Sequence, residues 1–206
     1  MNRRIFLKEL VAGAVASSVL NTSLVEAAFF QQATQQANLR YLRPPGALRE
    51  DEFKKRCIRC GQCGEVCPNT CISYFDTENG IDSLNTPYIT PREKACILCM
   101  KCGEICPTGA IQEVKKTAEE IIEHVSMGKA QVNKSLCLSW QGKSCGVCWR
   151  ACPLQDVALK VGWMEQPYVL DECVGCGLCE RSCIQIPQAI KIIPRHNSAG
   201  NRRKTS

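Results

Sequence analysis

Cys57-Ile58-Arg59-Cys60-Gly61-Gln62-Cys63-Gly64-Glu65-Val66-Cys67-Pro68 is the stretch that decides the fold of this chain. Its C-x2-C-x2-C-x3-C-P spacing puts three thiolates on one tight loop and a fourth about one helical turn later. That is the spacing of a 4Fe–4S loop, and where two cubes lie side by side the fourth thiolate serves the other cube. The proline sets the dihedral of the exit turn and removes an N–H that would need a partner. Glycines between the ligands let backbone amides approach sulfur where a Cβ would clash.

The pattern returns at Cys96, Cys99, Cys102 and Cys106-Pro107 with identical spacing. A third run is stretched, with Cys137 followed after seven residues by Cys145, Cys148 and Cys152-Pro153. The fourth is Cys173, Cys176, Cys179 and Cys183, followed by Ile184 rather than proline, with Pro187 further on. Sixteen of the seventeen cysteines therefore fall into four sets of four, which predicts four 4Fe–4S clusters. A disulfide framework suits a cysteine-rich exported chain. Tight triplets pair badly as disulfides, however, and an odd total leaves one thiol over. Structural zinc uses two well-separated C-x2-C knuckles rather than a triplet plus C-x3-C-P. A c-type haem needs C-x-x-C-H, which neither His124 nor His196 completes.

A chain of 206 residues allows one domain or two small ones. Each cluster pair would serve a module of about 60 residues, a size at which burial alone is marginal. Ligation then becomes folding energy, and the cluster-free protein is expected to be largely unfolded. The formal charge of +6 counts cysteines as neutral. With about −2 on each oxidised cube, the chain without its leader comes to about −3, which gives nucleic-acid binding no support.

Residues 1–27 read as a twin-arginine export signal. Arg3-Arg4-Ile5-Phe6-Leu7-Lys8 precedes a short apolar run from Leu10 to Leu20 and a small-residue site at Val25-Glu26-Ala27. The apolar run is too short to span a bilayer, which takes about 20 residues. That export route moves folded proteins, so cubes built in the cytosol and this leader explain each other. The expected location is the periplasm, at the outer face of the inner membrane.

The expected fold is α+β, two tandem bacterial ferredoxin-like modules with short strands and helices around the clusters. Residues 28–56 form an N-terminal arm that docks a partner or covers the first module. The first two-cluster module is 57–115, a linker helix is 116–131, and the second module is 132–194. A disordered basic tail is expected over 195–206. Short strands are expected at 72–75, 110–111, 157–161 and 189–193 after each fourth cysteine, and at 87–89, 130–132 and 168–170 before the later runs. Residues 76–86 read as a polar loop. In the linker, Ala118, Ile121, Ile122 and Val125 fall at helical spacing, and Gly128 is expected to end the helix.

Only 20 residues separate Cys152 from Cys173, as in a compact two-cluster unit. The third run is therefore paired with the fourth, and the first with the second. Swapping fourth ligands gives one cube from Cys57, Cys60, Cys63 and Cys106, and another from Cys96, Cys99, Cys102 and Cys67. The second module gives Cys137, Cys145, Cys148 with Cys183, and Cys173, Cys176, Cys179 with Cys152. Nested pairing, first run with fourth and second with third, is the alternative. Cys71 is left over and reads as a buried or half-buried bystander rather than as a fifth ligand or a redox-active thiol. Trp149 reads as a cover over a cluster, and His124 as an ordinary surface residue.

The twin-arginine leader, Arg43-Pro44-Pro45-Gly46-Ala47 and the first cysteine loop together resemble the MauM/NapG ferredoxin-type family. So do Leu136-Cys137-Leu138-Ser139-Trp140-Gln141-Gly142 leading to Cys145-Gly146-Val147-Cys148, and the fourth run without its proline. The resemblance implies a periplasmic electron-transfer subunit and not an enzyme in its own right. It would work beside a polytopic membrane iron–sulfur protein that oxidises quinol, as part of a quinol dehydrogenase system. Electrons would pass to a periplasmic terminal oxidoreductase or its cytochrome, of the nitrate reductase or methylamine-utilisation type. The alternative is a four-cluster electron-transfer β-subunit of an exported molybdenum oxidoreductase. An enzyme with a site-differentiated cluster would need an incomplete cysteine set, and all four sets are complete. A redox-sensing or structural metal protein would hold clusters that do not cycle.

Overall fold

The computed structural model describes residues 41–195. The leader, residues 28–40 of the arm and the tail beyond Arg195 lie outside the described residues.

Six short helices and six strands are described. The helices are α1 (Glu50–Arg56), α2 (Gln62–Glu65), α3 (Lys101–Glu104), α4 (Ala118–His124), α5 (Val147–Arg150) and α6 (Leu178–Ser182). The strands are β1 (Ser73–Tyr74), β2 (Pro87–Tyr88), β3 (Gly128–Val132), β4 (Leu159–Val161), β5 (Pro167–Val169) and β6 (Ile190–Pro194). They pair antiparallel as β1–β2, β3–β6 and β4–β5. The stretch expected as a strand at 110–111 makes only an isolated bridge, Ile111 to Ala47 of the arm. The loop at 76–86 contains one 3-10 turn, Thr77–Asn79.

α1 begins with Glu50, Asp51 and Glu52 and ends with Lys54, Lys55 and Arg56, which complements the helix dipole at both ends. It buries Phe53 completely. α4 starts where Thr117 accepts the Glu120 N–H on its hydroxyl at 3.4 Å. The helix stops at His124 and Val125 is already extended, so the linker helix is shorter than sequence spacing suggests. Gly128 does not cap it but opens β3. A Cβ on Gly128 would sit 2.6 Å from the Ile193 carbonyl oxygen, so close backbone approach, not a helix stop, requires glycine there.

The main core runs through both halves of the chain, from Leu42, Ile89 and Met100 to Val125, Leu159 and Ile190. The 90–98 segment locks onto the fourth cysteine loop. Cys96 N–H donates to the Cys176 carbonyl at 3.0 Å. Arg92 donates to the carbonyls of Glu180 and Cys183 at 3.1 and 2.9 Å, and Arg181 donates to the Glu93 carbonyl at 2.6 Å. A smaller core joins Phe53, Cys63, Cys102, Ala110 and Ile111.

The described residues of the arm, from 41 on, pack on the segment around β2. Leu42 pairs with Ile89. Arg43 holds the Glu50 carboxylate through two bonds of 2.6 and 2.9 Å and donates to Thr86 Oγ1 and the Pro87 carbonyl. Its guanidinium also stacks 4.6 Å from the Phe53 ring centroid. No helix among the described residues is long and apolar enough to cross a membrane.

Candidate iron–sulfur sites

Each cysteine loop is bent by a residue in the left-handed region immediately after the second cysteine of its triplet. These are Gly61, Met100, Gly146 and Gly177, with φ of 78°, 63°, 56° and 88°. In the first, second and fourth runs the residue before that cysteine is left-handed too: Arg59, Leu98 and Gly175. The alternation wraps the backbone around the thiols and starts α2, α3, α5 or α6, which carries the third cysteine. In the stretched run, the residues between Cys137 and Cys145 include a 3-10 turn, Ser139–Gln141, that buries Ser139. Cys137 still reaches the same cavity as Cys145.

Three cavities each gather four thiols. Cys57, Cys60 and Cys63 line one of about 380 Å³ with Cys106, not with Cys67 of their own run. Cys173, Cys176 and Cys179 line one of about 350 Å³ with Cys152. Cys137, Cys145 and Cys148 line one of about 390 Å³ with Cys183. In the fourth group, the Cys102 thiol is close enough to Cys99 and Cys67 to be affected by their charge. Cys71 contacts both Cys67 and Cys96.

This arrangement suits a cube better than a single ion. Among the described residues no three His, Cys, Asp or Glu side chains are placed to hold one metal ion. None of the seventeen cysteines is in a disulfide.

Burial pushes the Cys63 and Cys148 thiols up to about 11 and those of Cys102 and Cys176 up to about 12. Cys179 is raised well above the ordinary value by the same cause. These groups keep their protons at neutral pH without iron, so cluster loading must release protons. Burial also acts to raise Cys106, but the Ile111 N–H and the Thr108 hydroxyl outweigh it and lower the thiol on balance. Backbone donors meet sulfur elsewhere too: Ala189 N–H to Cys183 Sγ at 3.3 Å and Leu98 N–H to Cys96 Sγ at 3.4 Å. Such bonds stabilise thiolate and help set cluster potential.

Two supporting residues were not legible as such in the sequence. Tyr74, on β1, donates its hydroxyl to the Gly61 carbonyl at 2.5 Å and accepts the Gly64 N–H at 3.0 Å. It therefore ties both ends of the turn around Cys63. Glu180, buried on α6, accepts the Ile192 N–H at 2.7 Å and the Gln188 side-chain amide at 3.0 Å, which fastens that helix to β6. Trp149 packs against the core beside Cys148 and Cys152, with its indole N–H donated to Asp156 at 3.1 Å. His124 is half exposed and sits 3.3 Å from Glu120 on the α4 surface.

A family model described as "4Fe-4S dicluster domain" matches residues 56–110 and 95–156, both matches including the second cysteine run. The ferredoxin-type protein NapG of Escherichia coli K12 is 35% identical over 207 residues, covering 93% of this chain and 85% of its own. The methylamine utilization ferredoxin-type protein MauM of Methylorubrum extorquens is 34% identical over 209 residues, covering 94% and 90% respectively. MauM of Paracoccus denitrificans is 34% identical over 176 residues, covering 78% and 75%. The dicluster matches and the seventeen cysteines fit four 4Fe–4S clusters. With its thiol-lined cavities and these relatives, the chain belongs to the NapG/MauM family of ferredoxin-type 4Fe–4S proteins.

Proposed function

We propose that this chain is a periplasmic electron relay whose four cubes carry electrons from a membrane quinol-oxidising partner towards a periplasmic oxidoreductase. The reading is supported by contacts that link the four thiol groups one to the next. The cube of Cys57, Cys60, Cys63 and Cys106 neighbours that of Cys96, Cys99, Cys102 and Cys67, because Cys63 and Cys102 share one apolar cluster. That second cube neighbours the one held by Cys173, Cys176, Cys179 and Cys152 through the backbone bond from Cys96 to Cys176. The last, at Cys137, Cys145, Cys148 and Cys183, lies beside it, since Cys148 and Cys179 are close enough to repel when charged. By these contacts electrons would pass through the runs in the order first, second, fourth and third.

Cys176 and Cys179 of the fourth run are buried, while Cys60 of the first is exposed. Ile184 and Ile186, 61% and 88% exposed, follow Cys183. Exposed apolar side chains beside a terminal cube suit brief docking of redox partners. When bound, the cubes supply one-electron chemistry. The chain's own residues hold them, donate N–H bonds to their thiolates and keep water from the central ones. The paired arginines and apolar run of residues 1–27 support export by the twin-arginine route. The names of the relatives support a methylamine-utilisation setting for the MauM branch.

The test is anaerobic mixing of oxidised holo-protein with quinol and membranes. Bleaching of the cluster absorbance only when membranes contain a polytopic iron–sulfur partner is the expected result. Quinol-independent behaviour with firm co-purification of a large molybdopterin protein would instead select the β-subunit role.

A further inference from the structure

Cys71 lies in the main core with other thiols at its side. It is 4% exposed, and its Sγ stands 3.6 Å from Cys67 Sγ, in van der Waals contact. The Cys96 thiol is its other partner. The placement is held from two sides. Thr70, with a left-handed φ of 44°, donates its N–H to the Cys67 carbonyl at 3.0 Å and so turns Cys71 back onto Cys67. Asn69 then donates to the Ala95 carbonyl at 2.7 Å and Lys94 to Thr70 Oγ1 at 2.8 Å, stapling the turn to the residues just before Cys96.

The internal repeat supplies a control. In the second run the matching turn is Cys106-Pro107-Thr108-Gly109-Ala110, with Gly109 left-handed at φ 64° and Ala110 1% exposed. A methyl group fills that site, so the fold asks for a small buried side chain there but not for sulfur. The corresponding residues after the third and fourth runs are Asp156 and Pro187. A fifth thiol therefore stands at the Cys67, Cys96, Cys99 and Cys102 group alone of the four.

We propose that Cys71 is a reserve ligand of that cube, able to replace Cys67. The inference rests on the ligand sets given above. In the exchange the iron–sulfur bond to Cys67 breaks and one to Cys71 forms. The Cys71 proton passes to the departing Cys67 thiolate across their contact, so charge and oxidation state are unchanged. When residue 67 carries no sulfur, the proton goes to solvent. The consequence is a cube that survives damage to one ligand in an oxidising compartment.

The test counts iron and acid-labile sulfide in anaerobically purified full-length protein. Wild type and Cys71→Ala should both hold about 16 irons, four per cube. Cys67→Ala should also hold about 16, and the double variant Cys67→Ala/Cys71→Ala about 12. Cys106→Ala, whose cube has no spare thiol in contact, should fall to about 12 by itself. Loss of one cube from Cys67→Ala, or its failure to fold, would overturn the proposal, as would a full complement in the double variant. A full complement in Cys106→Ala would instead show that the ligand sets are wrong.

Discussion

Tyr74→Phe removes one oxygen from the wall of the first cavity and leaves the ring in place. That oxygen joins the Gly61 carbonyl and the Gly64 N–H on either side of the turn that presents Cys63. Neither backbone group is orphaned by the change, because the Gly64 N–H also donates to the Gly61 carbonyl at 3.0 Å. The loss is thus that of one or two ordinary hydrogen bonds, about 1–2 kcal/mol, without a desolvated orphan. Applied to local opening of the loop, this raises the open population roughly 5–30-fold. Iron release to a chelator should accordingly become biphasic, with about four of about 16 irons leaving 5–30 times faster than in wild type. Alkylation followed by peptide mapping should find Cys57, Cys60, Cys63 and Cys106 exposed in the fast phase. Wild-type kinetics, or early labelling of the Cys173 group, would show that the Tyr74 hydroxyl does not hold this loop closed.

Other perturbations discriminate further. Cys183→Ala should release the cube at Cys137, Cys145 and Cys148 and spare the one at Cys173, Cys176 and Cys179, because Cys183 lines only the former cavity; thiol mapping of the purified variant checks this. Gly175→Ala forces a side chain into a left-handed φ of 76° and a Cβ to 2.6 Å from Gly128 Cα. Together these cost about 2–5 kcal/mol, so little folded, iron-loaded protein should be recovered. Complete iron removal under reducing conditions should abolish most of the far-UV circular dichroism, since elements this short have little to hold them without the cubes. A cluster-free chain that kept its spectrum would show that the apolar core suffices.

Much of this molecule can be read from its sequence because ligand spacing is local. The triplets and the exit turns after them obey rules that act within a dozen residues, whereas the strand expected at 110–111 makes only an isolated bridge. The stretched third run is legible as one set of four because a longer loop between ligands adds little closure entropy. What is not legible is contact between distant segments. Gly128 reads as a helix stop, yet its real constraint is the backbone of β6 and of Gly175 pressing against it. The arm reads equally well as a partner dock or a cover, and only the placement of Thr86 and Pro87 shows what Arg43 grips. Cys71 reads as spare because the turn that returns it to Cys67 depends on a left-handed threonine, which no propensity favours. The approach of the second cysteine loop to the fourth depends on the 90–98 segment meeting that loop, a pairing set by packing across some 80 residues of chain.

On this reading, thiolates in four places hold cubes that take up and return electrons. Anaerobic coulometric titration of the full-length holo-protein, followed by electron paramagnetic resonance, tests it most directly. The prediction is reversible uptake of about four electrons per chain, one per cube, with magnetic coupling between neighbouring reduced cubes. A preparation that holds zinc in place of iron, or whose cubes neither accept nor return electrons, would contradict it.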